Sequence, residues 1–447
     1  MTEAFRTLAT AIAVRRHSAG PPERIARFQD KKIRQVVAHA YERVPYYREL
    51  FDSVGLMPTH VRARADLERI PITTKSDVRG RDIEQMLSRD VEQDTLFERH
   101  TTGTTGDQCM ILRTPREEFL QSAVFLRREL KSLGIRRGDR VSLVKVPSRG
   151  LPPKRKKREK PGTKAIRGML ERRAGADRLS WINAMRPAQE ILQALHEAKP
   201  DILSGYPGIL SSVARFAESI DDTSIKPRLI VTGAETITPL MRDQLTRVFR
   251  APVYDTYGSH EFGRIATQCT TTGEYHICSD SVAIEIIGER GAVASGEAGR
   301  VIGTSLHSYA MPFIRFDLGD IAVRGRDRCA CGAPFPTLLA IKGRMIDEFP
   351  MPDGSLLHPW VLLDAMWPHV VDWIAKYRIL QETTSRIVMF VLARRTPTSS
   401  ELEDVHAAAL RILGPEVQFV FSIVERLDYD PSAKGRPFRS LVRSTYE

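Results

Sequence analysis

Between Pro22 and Leu50, apolar side chains recur at Ile25, Phe28, Ile33, Val36, Val37, Ala40, Val44 and Tyr47, mostly three or four residues apart. That spacing lines one face of a 3.6-residue helix and predicts an amphipathic helix broken at Pro45. Arg116 to Leu133 repeats the pattern. Farther along, short apolar runs bounded by turn residues predict strands at Val141–Val146, Asp201–Leu203, Leu229–Thr232, Val253–Thr256, Val282–Ile287 and Gly299–Thr304. Helical periods at Pro187–Ala198, Tyr206–Ser219 and Thr238–Phe249 lie between several of them. The alternation gives an α/β class with βαβ units and a covered, largely parallel sheet. No repeat of fixed period is visible.

A chain of 447 residues exceeds what one hydrophobic core usually organises, so at least two domains are expected. No run of about 18 apolar residues occurs, and Met1–Arg16 lacks a small-residue cleavage site, which reads as a soluble, cytoplasmic protein without a membrane span. Cys109, Cys269, Cys278, Cys329 and Cys331 are too few and too uneven for a secreted disulfide framework. The net charge of +12 is local in origin. Residues 154–178 carry eleven Lys and Arg against Glu159, Glu171 and Asp177, a net +8. No aromatic residue interleaves the run at Lys154–Lys160, and Pro161-Gly162 closes it, so it reads as a solvated loop. As a functional element it would attract a phosphate-bearing cofactor before a nucleic acid, since no nucleic-acid module accompanies it.

Candidate chemistry begins at His100-Thr101-Thr102-Gly103-Thr104-Thr105-Gly106. Glycines bring backbone N–H groups close to an anion and threonine hydroxyls add donors, which suits phosphate. It is not a Walker loop, because Asp107 and Gln108 follow Gly106 where Lys and Ser/Thr are needed. Downstream, Tyr254-Asp255-Thr256-Tyr257-Gly258-Ser259-His260-Glu261-Phe262-Gly263 ends a strand in a glycine turn with a carboxylate placed to hold Mg²⁺. Gly233-Ala234-Glu235, Arg315-Phe316-Asp317-Leu318-Gly319-Asp320 and Lys342-Gly343-Arg344-Met345-Ile346-Asp347 complete the set.

The order and spacing of these pieces, with Ser204-Gly205-Tyr206-Pro207 and Val44-Pro45-Tyr46-Tyr47, resemble the adenylate-forming superfamily in its phenylacetate–CoA ligase and CapK-like branch. The resemblance spans nearly the whole chain. It implies a large N-terminal domain, residues 1–343, and a small mobile α+β C-terminal domain, residues 344–447, with the active site in their cleft. Thr101, Thr102, Gly103, Thr104, Thr105 and Gly106 would grip the ATP β- and γ-phosphates. Gly233, Ala234 and Glu235 would line the adenine, with Tyr254, Asp255, Thr256 and Tyr257 on the opposite wall and Gly258 also among the cofactor-binding residues. Glu261 would bind Mg²⁺, Asp320 the ribose hydroxyls, and Arg344 the ribose or phosphate. His260 stands beside these as a catalytic candidate, and Tyr206, Ala234 and Phe262 as pocket lining. The implied chemistry is attack of a carboxylate on the α-phosphate, giving an acyl-adenylate and pyrophosphate, then transfer to a thiol, with CoA the leading acceptor. An amine acceptor, giving an amide, is the alternative, and a degenerate nucleotide-binding homologue is a second. No nucleic acid partner is expected.

The chain departs from the family pattern twice. The late motif presents a lysine after a glycine, whereas Lys434-Gly435-Arg436 places an arginine there and a lysine one residue before the glycine. A planar guanidinium does not replace a compact ammonium, which favours Lys434 over Arg436 as the catalytic cation. Ile346 also stands where the family tends to carry a polar hinge residue. Finally, Cys269, His276, Cys329 and Cys331 supply three thiolates and an imidazole. Their spacing alone leaves packed free cysteines and a closed zinc site both open. The resemblance implies structural zinc, leaving Cys109 and Cys278 as packing residues.

Overall fold

In the computed structural model of the chain, the apolar stripe after Pro22 forms α2 (Pro22–Arg43), which lies between α1 (Glu3–His17) and α3 (Pro45–Ser53). The structure describes residues 3–17, 20–100, 110–136, 138–145, 178–184, 186–344, 349–353, 356–357, 359–370, 373–427 and 438–442. Pro45 has no N–H to continue the preceding helix, so α2 ends before Val44 and Pro45 opens α3. Ile25, Ile33, Val36, Val37 and Ala40 are buried. Gln29, polar but buried with them, donates from Nε2 to Ser279 O at 3.0 Å and Val282 O at 3.2 Å. The stretch from Pro115 is helical as its period predicts, with a π-helical turn at Leu120–Phe125 leading into α4 (Leu126–Ser132).

β1 (Phe97–His100) and β2 (Met110–Arg113) form an antiparallel pair that brackets the Thr/Gly loop. The loop itself, Thr101–Gly106, lies outside the described residues, as do Cys109, the basic run at 154–177, Ile346, Lys434 and Arg436.

The main sheet draws its first strands from β3 (Val141–Lys145), β4 (Leu179–Asn183), β5 (Ile202–Gly205), β6 (Leu229–Gly233) and β7 (Val253–Ser259). They are followed by β8 (Gly263–Gln268), β9 (Tyr275–Ile277), β10 (Val282–Gly288), β11 (Gly291–Ala292), β12 (Ala298–Ser305), β13 (Phe316–Arg324) and β14 (Thr337–Arg344). Their order is β11-β10-β12-β13-β14-β9-β8-β7-β6-β5-β3-β4. Strands β3 to β7 pair in parallel. The helices α5 (Ala188–Ala198), α6 (Pro207–Ser219) and α7 (Pro239–Phe249) make or follow their crossovers. The largely parallel sheet expected from the sequence is corrected here to a mixed one. β7–β8, β8–β9, β9–β14, β10–β12 and β10–β11 are antiparallel. Connections as short as Ser259–Gly263 cannot return a chain to a parallel neighbour, and the apolar runs alone carry no sign of direction.

The described chain divides into two compact units. The first comprises Met1–Ile237, Gln244–Leu318 and Ala322–Ile341; the second comprises Thr238–Asp243, Gly319–Ile321 and Lys342–Glu447. In the second unit β15 (Phe349–Pro350) pairs with β16 (Leu356–Leu357). Four further strands, β17 (Ile374–Thr383), β18 (Arg386–Ala393), β19 (Gln418–Ile423) and β20 (Phe438–Ser440), lie in the order β19-β18-β17-β20. They share a core with α8 (Pro359–Val370) and α9 (Ser399–Leu413), centred on Met366, Trp373, Ile379, Met389, Val405 and Phe419. A capping box, Thr398 with Glu401, starts α9, and Gly414 ends it. No described helix is long and apolar enough to cross a membrane.

The Val44-Pro45-Tyr46-Tyr47 segment earns its place in the first unit's core through Tyr47, which is 1% exposed. Its hydroxyl donates to Pro312 O at 3.1 Å and accepts from Ile314 N at 2.9 Å, tying α3 to the loop before β13. Tyr47→Phe removes the hydroxyl and strands both backbone groups in a dry core. The expected loss is about 1–3 kcal/mol, read as a lower urea midpoint with unchanged far-UV circular dichroism. An unchanged midpoint would show that these bonds contribute nothing net.

Candidate active site

The carboxyl ends of β5, β6 and β7 bring three of the sequence motifs together. In the parallel ladder Gly205 faces Thr232, Thr232 faces Asp255, and Gly233 faces Thr256. A Cβ on Gly233 would lie 2.4 Å from Thr256 Oγ1 and 2.8 Å from Thr256 O, so only glycine admits this approach. Ala234 follows with φ of 67°, a left-handed conformation that costs a non-glycine residue on the order of 1 kcal/mol or more and clusters at functional turns. Glu235 then turns back, and its Oε2 accepts from Gly208 N at 3.2 Å in the first turn of α6. A carboxylate at a helix N-terminus is favoured by the exposed N–H groups there. Gly233-Ala234-Glu235 is thus pinned to Ser204-Gly205-Tyr206-Pro207.

Asp255 is 5% exposed. Its Oδ1 accepts from Thr232 Oγ1 at 2.8 Å and its Oδ2 from Tyr275 Oη at 3.0 Å. Its carboxylate therefore braces β6 and β9 against β7. Thr256 is bound in the same way, donating to Thr232 O at 2.8 Å and accepting from Arg264 Nη1 at 3.0 Å. The Tyr257 side chain packs into the core. After Tyr257 the β7–β8 pairing shifts register, and Gly258 meets Gly263 O too closely for any side chain, with 2.5 Å to a hypothetical Cβ.

This turn exposes His260 and buries Glu261. Ser259 Oγ accepts from Phe262 N at 3.2 Å, and the buried Arg113 of β2 donates from Nη2 to the His260 carbonyl. Glu261 is 4% exposed, and no hydrogen bond or ion pair from a described residue engages its carboxylate. A shielded carboxylate without a protein cation suits a bound metal ion, and an all-oxygen ligand fits Mg²⁺. Asp320 is half-buried on β13, just after Gly319 with φ of 71°, and Arg344 closes β14.

Two groups near this turn escape sequence reasoning. Arg264, which follows Gly263, places its Nε 2.5 Å from Glu129 Oε2, and Glu129 of α4 is 2% exposed. Burial pushes the Glu129 carboxyl up, against the pull of Arg264 and then Arg128. Arg128 in turn pairs with the fully buried Asp280. Only the position of Arg264 beside the glycine turn could have signalled this network, since nothing local marks Glu129 or Asp280.

Away from these strand ends, Cys269 follows β8, His276 lies on β9, and Cys329 and Cys331 sit in the β13–β14 loop. Pairing of His276 with Thr337 on β14 draws the loop to β9. The four ligand atoms lie within 4.8 Å of one another, with Cys329 Sγ to Cys269 Sγ at 3.9 Å and Cys331 Sγ to His276 Nε2 at 3.4 Å. Tetrahedral zinc with ordinary bond lengths separates such atoms by roughly 3.8 Å and roughly 3.5 Å respectively, so the donor set fits the ion. The sulfurs are free thiols. Burial works to raise Cys269, but hydrogen bonds from Thr272 and the Thr271 amide outweigh it and bring the thiol to about 7. Burial, followed by the neighbouring sulfurs, takes Cys331 up to about 11. Desolvation lowers His276, keeping its imidazole neutral as a ligand must be. Cys278 is buried nearby, its thiol raised by desolvation.

No family model matches the sequence. A phenylacetate-coenzyme A ligase of Thermus thermophilus is 26% identical over 415 residues, covering 89% of this chain and 85% of its own. CapK of Staphylococcus aureus is 22% identical over 299 residues, covering 65% and 61%. Among solved structures, 2-hydroxyisobutyryl-CoA ligase in its postadenylation state superposes with a TM-score of 0.77 at 20% identity, covering 94% of this chain and 90% of that one. In sequence and in fold the chain is similar to adenylate-forming ligases of the phenylacetate–CoA ligase branch. An anthranilate CoA ligase shares the fold at a TM-score of 0.53 and 14% identity, covering 91% and 78%. The mixed sheet with a smaller C-terminal sheet unit is the architecture of adenylate-forming ligases.

Proposed function

We propose that this protein is an AMP-forming carboxylate ligase that activates a carboxylic acid with ATP and passes the acyl group to CoA. The observation that carries the reading is the turn at Gly258–Glu261, where a shielded carboxylate that no described residue engages lies beside the braced ends of β6 and β7. Its support from outside the site is the phenylacetate-coenzyme A ligase relative and the CoA-ligase fold. In the first step the substrate carboxylate attacks the α-phosphorus of ATP, and the bond to pyrophosphate breaks. In the second, the CoA sulfur attacks the acyl carbonyl, loses its proton to solvent, and AMP leaves. A Mg²⁺ held by Glu261 would neutralise phosphate oxygens as charge develops. The chain's own part is positioning. Gly233 and Ala234 shape the adenine side, Thr101–Gly106 and Asp320 would hold phosphates and ribose, Arg344 would reach the ribose or phosphate, and residues 344–447 would deliver the catalytic cation.

The decisive experiment is a carboxylate-dependent pyrophosphate-release screen over aryl, acyl and amino acids, with and without CoA. Glu261→Gln is expected to reduce release roughly 30- to 1000-fold, through loss of a charge-assisted contact, without unfolding the protein. Full activity in that variant removes Glu261 from the site. An ammonium concentrates its charge better than a guanidinium, so Lys434→Ala should slow adenylate formation more than Arg436→Ala does, while transfer from a preformed adenylate survives both. The reverse order would give the cationic role to Arg436.

Cys269, His276, Cys329 and Cys331 are proposed to hold one structural zinc, supported by their tetrahedral spacing. Protein purified without chelators should contain about one zinc per chain, and Cys329→Ser should lower both zinc content and thermal stability. Zinc-free protein of unchanged stability would refute the site.

A further inference from the structure

Lys145, in the first unit, has no part in the reaction described above. Lys145 is the last residue of β3, at the same carboxyl edge of the sheet as Gly205, Gly233 and the Gly258–Glu261 turn. Ligands of open α/β sheets bind outside that edge. Lys145 on β3 and Arg264 on β8 come from strands four apart in the order β8-β7-β6-β5-β3, and both charges act on Glu129. Of the three strands between, β5 and β6 end in Gly205 and Gly233, which put no side chain over the floor.

Among the described residues, the charges at this spot do not balance. Arg264 already holds Glu129 at 2.5 Å, and Arg128 is paired with Asp280. No ion pair or hydrogen bond from a described residue reaches the Lys145 ammonium, although the side chain is half-buried. Burial, then Arg264, holds the ammonium below the usual lysine range, with Glu129 pulling the other way. A desolvated cation with no dedicated counter-ion is costly unless a ligand supplies the anion.

Resting on the ligase reading, we infer that Lys145 is a specificity determinant of the acyl pocket and that the substrate is a carboxylic acid with a second, distal carboxylate. The reacting carboxylate lies at the Gly258–Glu261 turn, and the distal one meets Lys145, where Arg264 adds positive potential. An acid without the second carboxylate leaves Lys145 unpaired on a pocket it has dried, so selectivity arises from that penalty as well as from the contact.

The test compares matched pairs, hexanoate with adipate and phenylacetate with 4-carboxyphenylacetate, by calorimetric binding to the full chain and by kcat/KM for pyrophosphate release. Wild type should favour the diacid of each pair. Lys145→Met should cut the diacid-to-monoacid ratio at least about tenfold in both readouts, and Lys145→Arg should retain most of it. Lys145→Glu should invert the preference. A wild type that favours the monoacids, or a Lys145→Met ratio unchanged while KM for ATP rises, overturns the inference and leaves the ligase reading standing. Diacid binding that depends on Lys145 without pyrophosphate release from any acid supports the anion site and overturns the ligase reading instead.

Discussion

The carboxyl ends of β6 and β7 approach so closely that position 233 has no room for a side chain, and the arrangement of the site follows from that contact. With Gly233 against Thr256, the Thr232 hydroxyl reaches the Asp255 carboxylate and Tyr275 closes the bond set from β9. The Thr232, Asp255 and Tyr275 side chains thus satisfy one another, which favours a dry, rigid strand end. The chain leaves β6 through a left-handed Ala234 and leaves β7 through a glycine bulge. The two exits shape the edge that the proposed nucleotide and metal ion would occupy.

Charge is distributed around this edge with a clear asymmetry. Structural carboxylates are occupied: Asp255 by two hydroxyls, Glu235 by a helix N-terminus, Glu129 by Arg264 and Asp280 by Arg128. Glu261, which is buried, and Lys145, which is half-buried, are groups of opposite sign that no described residue engages by hydrogen bond or ion pair. Groups that no described residue engages are the ones the proposals assign to ligands, a cation for the first and an anion for the second. The same contrast separates the thiol cluster from Cys278. The cluster's sulfurs face one another and an imidazole, whereas Cys278 is an isolated thiol shielded from solvent.

Much of the scaffold was legible in the sequence because it depends on local patterns. The period of α2, its break at Pro45 and the parallel run from β3 to β7 follow from side-chain spacing and from proline's missing N–H. The glycine turns and the Cys/His set were also visible, since their residue types are unusual at such spacing. Other features required the fold. The antiparallel half of the sheet was not readable, because an apolar run has no direction. The bracing of β6 and β9 against β7 through Asp255 likewise depends on partners distant in sequence.

What the sequence determined by itself was the chemistry on offer, namely which glycines, carboxylates, thiols and cations occur and at what spacing. What only the tertiary structure decided was which of them are already spent. Glu129 and Arg264 are 135 positions apart, and nothing local to either predicts that they meet and leave Lys145 over. Pairing between distant charges is fixed by how strands order in the sheet and how helices return to it. That order is set by burial of the whole chain, while a motif records only its own few residues.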